Sequence, residues 1–423
     1  MTPQEKPHLL DPEILECPYS LYAEMRAESP IYSDPVSGYY VVTGYEALRK
    51  VLLDEEHFRG GAVRGTEVVD VSRLRDPEHV ERMRCKFADE GWIPGPSLGM
   101  YGEPDHKQLR SVFEKFLRAS KIKELAPFVE QTAHRLIDRF IDKGECEIVS
   151  QFAVPLPMIV FGTQMGMREE DCWRIKEWTD AWVQRFGAMQ SEEADMANVA
   201  KQIEAQLFFQ PLIEKLRREP DGSLFSELIN EEVPGWGRTL NDSELHAHLM
   251  ADTFVGGSET TANALSAGFV HLCRDKGIWR KLKSDPERYL RPFVEEVLRL
   301  ESPVLHLARV SQKEFELEGV LIPAGSLILM GFGAANRDPE HFPNPDTLDL
   351  ERKNTGSHLT FGSGGHHCIG APLARRELMG AFQAVIERID DLWLAEGCND
   401  FRHVPNAYLR ILRKLHIEFD AAA

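Results

Sequence analysis

Residues Phe361 to Gly370 read FGSGGHHCIG and set one cysteine, Cys368, in a glycine-rich loop ahead of a helical pattern that runs on from Leu373. The chemistry this spacing allows is ligation by a single thiolate. Glycines at 362, 364, 365 and 370 permit close backbone approach and positive φ. Backbone N–H groups can then point at the sulfur, and the positive end of the following helix adds to their pull; both favour thiolate over thiol. One cysteine cannot complete a zinc site or an iron–sulfur cluster, which need several protein ligands.

A second reactive pair, Glu259 and Thr260, lies in the run Gly256-Gly257-Ser258-Glu259-Thr260-Thr261. Asn241 caps the helix that carries it, with Glu244 as capping-box partner, and the helical pattern continues to Cys273. Its middle is apolar nearly all round and so predicts burial. Two glycines mid-helix cost about 1 kcal/mol each against Ala, and a buried acid costs more unless satisfied. Locally unfavourable choices of this kind mark functional sites. Thr260 can turn its hydroxyl onto the carbonyl of Gly256 and open the helix into a groove.

A haem supplies four nitrogens of its own and needs one axial ligand from the protein. The pattern F-x-x-G-x-x-x-C-x-G, carried by Phe361, Gly364, Cys368 and Gly370, resembles the haem-binding signature of the cytochrome P450 family. The resemblance implies haem b (iron protoporphyrin IX) with Cys368 as iron ligand. It makes Glu259 and Thr260 the family's acid–alcohol pair, which delivers protons for dioxygen cleavage, while the thiolate opposite pushes electron density toward the same bond. Glu296 and Arg299, followed by Arg352, are similar to the family's buried Glu–Arg–Arg network, which supports the ligand loop. The chain departs from the family at Leu348, where an aromatic is more usual. His106 and Arg110, at i and i+4, resemble the clamp for haem propionates, and Arg309 and His366 fit the remaining propionate contacts. Arginine suits a carboxylate because its planar fork binds it at two points. The resemblance covers roughly residues 100 to 419.

The elements that must position these groups read as mainly α with small β-sheets, in one domain over residues 1–423. Residues 1–100 form a small β-rich region with a long substrate-side loop, and 101–423 form the helical haem core. Helical patterns occupy 106–118, 124–142, 168–188, 193–217, 242–273, 277–283 and 287–301, after short ones at 21–27 and 45–53. Period-two segments at 39–42, 315–318, 326–329, 409–412 and 416–419 read as strands. The stretch 58–105 reads as irregular, and a loop that long points to function.

Of the 423 residues, 43% are hydrophobic, enough for a large core, and the net charge of −19 disfavours general nucleic-acid binding. Seven cysteines without a C-x-x-C pair fit a reducing compartment. No signal-peptide core and no run of about 20 apolar residues is present, so the expectation is a cytoplasmic protein without a membrane span. Without a dinucleotide fingerprint or cluster cysteines the chain reads as having no reductase module. Electrons are expected from a separate ferredoxin and reductase, the ferredoxin docking on Lys107, Arg110, Lys115, Arg118, Lys121, Lys123, Arg375 and Arg376.

Four classes are open to such a site: an electron-fed monooxygenase, a peroxide-driven peroxygenase, a haem isomerase or dehydratase, and a haem sensor. Glu259-Thr260 favours the first, which would hydroxylate, O-dealkylate or epoxidise a small or medium hydrophobic molecule. The pocket is expected near Trp178, Trp182, Phe186, Val255, Gly256, Leu305, Leu307, Ala407 and Tyr408. Asp252 shares a helix face with Gly256 and Thr260. It can bind a polar substrate group, hold Arg59, Arg64 or Arg73 from the long loop, or serve as a local cap.

Overall fold

The computed structural model describes Leu9, residues 11–60 and residues 76–422. Its main sheet joins two distant parts of the chain, in the order Ile31–Ser33, Tyr40–Val42, Leu327–Gly331, His306–Ser311, Phe58–Arg59. Tyr40–Val42 runs parallel to Leu327–Gly331, with Val41 opposite Leu329, and the other pairings are antiparallel. Strand alternation explains why every residue of Leu327–Gly331 is buried. Leu327 and Leu329 join the main core, while Ile328 and Met330 join a smaller core with Leu48, Val51 and Leu52 of the Tyr45–Leu53 helix. The N-terminal region, expected to be β-rich, is mostly helical where described (Pro12–Glu16, Tyr19–Glu28, Tyr45–Leu53, Pro77–Glu90), and its three short strands tie it to residues 306–331.

The C-terminal strands differ from expectation. His416–Ala421 pairs with Glu145–Glu147 and Ile389–Leu394, whereas Leu409 and Leu412 make only isolated bridges to Val304 and His403. Phe315–Leu317 closes a hairpin with Val320–Ile322. The stretch read as irregular contains a helix, Pro77–Glu90. Asp76 caps it by accepting from the Glu78 and His79 amides, and Pro77 supplies a preset first turn. Met83 and Phe87 on its inner side pack on Val199 and Ile203 of the Glu192–Arg218 helix, in a cluster separate from the main core.

The central helix is continuous from Asp242 to Arg274 and starts with both bonds of the Asn241–Glu244 capping box. Between His248 and Glu259 it widens to i→i+5 turns. Thr253, Ser258 and Thr260 each turn a hydroxyl back onto a carbonyl of the preceding turn, competing with the backbone ladder. Beyond the widened part, Phe269 meets Phe152 and Phe382 in edge or tilted contacts at 5.7 and 5.6 Å. Phe382 belongs to the Ala371–Arg388 helix that follows the cysteine loop, so these rings couple the two walls of the site. All seven cysteines are free. Among the described residues, no helix is long and apolar enough to cross a membrane.

Candidate active site

Cys368 sits where the chain turns from a short Gly364–His366 helical turn into the Ala371–Arg388 helix. Its own amide donates to the Phe361 carbonyl at 2.8 Å, which folds the loop back on itself. Gly364 has φ +72, and a Cβ there would stand 3.1 Å from the Leu52 carbonyl, so no side chain fits in that conformation. Arg375 stacks on the Phe361 ring at 4.4 Å. The sulfur is accessible, yet protein surrounds it at longer range: it looks into a cleft rather than out to bulk solvent. Burial raises the Cys368 thiol above its ordinary value, and the Gly370 and Ala371 amides pull it down only in part. The expected N–H donors exist, but they do not by themselves make a thiolate. A coordinated metal cation removes the proton outright.

The second group lies on the widened part of the central helix. Gly256 is exposed there although its neighbours Val255, Ser258 and Glu259 are buried. Thr260 Oγ1 donates to the Gly256 carbonyl at 3.3 Å, the bond the sequence suggests. Glu259 faces away, toward the Cys172–Gly187 helix, a placement the sequence did not disclose. It accepts from Thr179 Oγ1 at 2.6 Å and pairs with Lys176 at 3.2 Å, and Lys176 is shared with Asp180. Burial raises the Glu259 carboxyl; Lys176 opposes it.

The groups expected to meet propionates come together. His106 and His366 stack with ring centroids 3.7 Å apart. His366 Nδ1 is buried without a partner, and burial, helped by Arg309, His106 and Arg110, lowers the ring to about 3. Arg309 is 7% exposed and, among the described residues, donates to the Gly99 carbonyl alone, at 3.2 Å. Burial brings its guanidinium down to about 10, opposed by Glu55. A buried cation without an adjacent carboxylate is costly. The anionic edge of a haem would answer that cost, and the exposed Cys368 would answer its iron, so the residues fit the group. Arg110 is less available than expected: it donates to Glu114 and to the His367 carbonyl, both at 2.8 Å.

Behind the loop, Arg299 donates to Glu296 at 2.7 and 2.9 Å, Arg352 donates to the same carboxylate at 3.1 Å, and the Asp349 amide adds a bond at 2.9 Å. Glu296 and Arg299 are fully buried. Glu295 forms a second network, missed in the sequence, with Arg375 at 2.7 and 2.9 Å and His358 at 2.9 Å. Burial raises the Glu295 carboxyl, but His358 and Arg375 outweigh that and hold it at about 2. Arg375 is thus part of the loop's support. Lys115, with its side chain about half exposed, pairs with Glu231.

Asp252 makes no hydrogen bond or ion pair with Arg59. It accepts from the Leu98 amide at 2.9 Å and from His248 Nδ1 at 2.6 Å, capping the turn that carries Leu98. Arg59 instead donates to the Glu55 carbonyl at 3.4 Å. Arg64 and Arg73 lie outside the described residues. Trp178 is core, against Phe208 and Phe209, whereas Trp182 stacks on Phe186 at 5.0 Å and Phe186 lies 4.6 Å from Tyr408. The Leu305 amide donates to the Tyr408 carbonyl at 2.7 Å, bringing Leu305, Ala407 and Tyr408 to the same side. Leu307 on the next turn of that strand is 37% exposed.

The cytochrome P450 family profile matches residues 95–390. The chain belongs to the cytochrome P450 family. This cytochrome P450 is 31% identical to the biotin biosynthesis cytochrome P450 of Bacillus subtilis, over 96% of this chain and 98% of the relative. It is 28% identical to linalool 8-monooxygenase of Pseudomonas putida, over 98% of each chain. Its fold overlays on P450BioI, solved with an acyl carrier protein bearing hexadec-9Z-enoic acid, with a TM-score of 0.82, 30% identity and coverage of 96% and 100%. It is therefore a haem-thiolate monooxygenase, an oxidoreductase that uses dioxygen.

Proposed function

We propose that this cytochrome P450 inserts one oxygen atom into a small or medium apolar molecule, with Cys368 holding the iron of its haem and electrons from a separate ferredoxin. The observation that carries the site assignment is the pairing of an accessible, loop-held sulfur at Cys368 with the buried Arg309 cation beside His106 and His366. Bound there, a haem would supply the redox chemistry that activates dioxygen.

The protein's own groups divide the remaining work. Arg309, His106, His366 and Arg110 would hold the propionates. The Glu296–Arg299–Arg352 and Glu295–Arg375–His358 networks fix the height of the sulfur. Thr260 holds a hydroxyl in the groove beside Gly256, and Glu259 is the proton reserve behind it. Lys176 and Asp180 connect that reserve toward the surface, Asp180 having a half-exposed side chain. A carboxyl whose burial raises its proton affinity suits the task, since general acids work best when they titrate near the operating pH. Trp182, Phe186, Val255, Leu305, Leu307, Ala407 and Tyr408 make an apolar wall for the substrate. Seven free cysteines support a reducing, cytoplasmic setting.

Reconstitution of the holoprotein with ferredoxin, reductase and isotopically labelled dioxygen tests the reading. The panel includes a long-chain acid and a terpene alcohol, in view of P450BioI and linalool 8-monooxygenase. One labelled oxygen atom in the product is expected. Product formed with peroxide but none with reductant and dioxygen would replace this reading with a peroxygenase.

A further inference from the structure

Between His248 and Thr260 the central helix keeps exposure at Ala251, Asp252, Gly256, Gly257 and Thr260 alone, and the other residues are buried. These five recur every four to five residues, the repeat of the widened turns, so they form one stripe along the helix. The stripe holds one charged side chain, Asp252. It stands one turn before Gly256 and two before Thr260, about 6 Å and about 12 Å along the axis at about 1.5 Å per residue.

Asp252 spends one of its two oxygens on the fold. Oδ2 accepts from the Leu98 amide at 2.9 Å and from His248 Nδ1 at 2.6 Å. His248 Nε2 is buried without a partner, which places the ring hydrogen on Nδ1. Tyr101 lies near-parallel to that ring at 6.3 Å and Phe113 meets it edge-on at 5.6 Å, so the donor is held in place. The turn that carries Leu98 is held again at the next residue, where Arg309 donates to the Gly99 carbonyl at 3.2 Å. Oδ1 makes no hydrogen bond, and no Lys or Arg pairs with the carboxylate, among the described residues. The Asp252 side chain is 17% exposed. It is a fixed acceptor with one oxygen to spare, on the accessible face of the helix.

We infer that Asp252 Oδ1 takes the protonated nitrogen of an otherwise apolar amine substrate. Such a nitrogen brings both a hydrogen and the opposite charge. An alcohol brings the hydrogen alone, and a carboxylate brings neither and is repelled. An acceptor fixed in advance lowers the ordering cost of binding. The inference rests on the monooxygenase reading for the chemistry at the substrate's other end.

Calorimetric titration of the holoprotein with N,N-dimethyldecylamine, n-decanol and decanoate tests the site without turnover. A hydrogen bond to a charged group is worth about twice a neutral one, which amounts to about tenfold in affinity. The amine is therefore expected to bind about tenfold more tightly than the alcohol. Asp252→Asn, which removes the charge and keeps the shape, is expected to erase that preference and to tighten decanoate several-fold. A role confined to holding the Leu98 turn would move all three probes the same way. Equal affinity for amine and alcohol in the natural protein, a preference that survives the substitution, or a parallel loss for all three probes overturns the proposal. If Asp252→Asn fails to fold, Asp252→Ser, which retains an acceptor for the Leu98 amide, takes its place with the same expected and overturning results. A failed monooxygenase reading looks different: the preference for the amine persists and no oxidised product forms.

Discussion

Glu296 and Glu259 are both buried acids in the helical half, and their surroundings differ in kind. Glu296 accepts from two arginines and a backbone amide, and Arg299 spends its remaining donors on the carbonyls of Asn336, Pro345 and Thr347. Glu259 accepts from one hydroxyl and from a lysine it shares with Asp180. The region behind the cysteine loop is saturated with charge-assisted bonds. The Gly256–Thr260 groove is held by hydroxyl-to-carbonyl bonds beside an exposed glycine, and Arg309 makes no ion pair among the described residues. Saturation fixes geometry. The unsaturated side keeps polar atoms free for a cofactor, for protons and for substrate.

Removing a partner should therefore act on folding behind the loop and on chemistry in front of it. Arg299→Leu leaves Glu296 buried with fewer donors, which costs about 3–5 kcal/mol out of a total of about 5–15 kcal/mol. Denaturant unfolding should show that loss together with poor haem retention; an unchanged midpoint would place the network outside the structural account. Thr260→Ala should leave stability and haem content nearly as they were while product formation falls by about 10²–10⁴, with reducing equivalents diverted to peroxide. Full coupling of electrons to product in that variant would remove the distinction between the two regions.

Glu377 sharpens the comparison, because it belongs to the saturated side but is not saturated. It is fully buried on the ligand-loop helix, and neither carboxyl oxygen has a hydrogen-bond partner. The Thr261 hydroxyl is near enough to favour ionisation somewhat, yet makes no bond of normal geometry, and burial holds the carboxyl well above its ordinary value. The unfolded chain releases this proton in the ordinary carboxylate range, so above that range the folded state binds more protons. Stability from this group is complete below the ordinary value and is lost as pH rises through the folded value. Glu377→Gln should match the natural protein near pH 4 and unfold at a higher temperature at alkaline pH. Parallel curves across that range would contradict a buried neutral carboxyl. The smallest effect expected is at the surface. Lys107, Arg118, Lys123 and Arg376 keep no ion pair among the described residues, and reversing Lys107 and Arg118 to Glu should slow reduction by a ferredoxin several-fold at low salt and little at high salt. A rate indifferent to both changes would assign electron entry to another face.

What could be read from the sequence follows the range of the interactions involved. The cysteine loop was legible because its constraint is local: Gly364 must adopt a left-handed conformation within a few residues of Cys368. The central helix was legible from its capping box and apolar middle, and the Thr260–Gly256 bond from a four-residue spacing. Helix Pro77–Glu90 was passed over because charges dominate it and only Val80, Met83 and Phe87 mark its inner face; the Asp76-Pro77 start was the available signal. The partners of Asp252, Glu259 and Arg375 lie 154, 80 and 80 residues away, at Leu98, Thr179 and Glu295. Periodicity carries no information about such pairs, which depend on which faces the fold brings together. The widened turns of the central helix likewise arise from the competition of three hydroxyls with the backbone, a sum of small effects that no one residue type announces.

The central claim is that Cys368 is the thiolate ligand of a haem placed between this loop and the Gly256–Thr260 groove. The measurement that tests it most directly is the reduced, carbon-monoxide-bound absorption spectrum of the natural protein beside Cys368→Ser. The account predicts a thiolate-type spectrum in the natural protein and its loss in the Ser variant. A thiolate-type spectrum that persists in Cys368→Ser would contradict it.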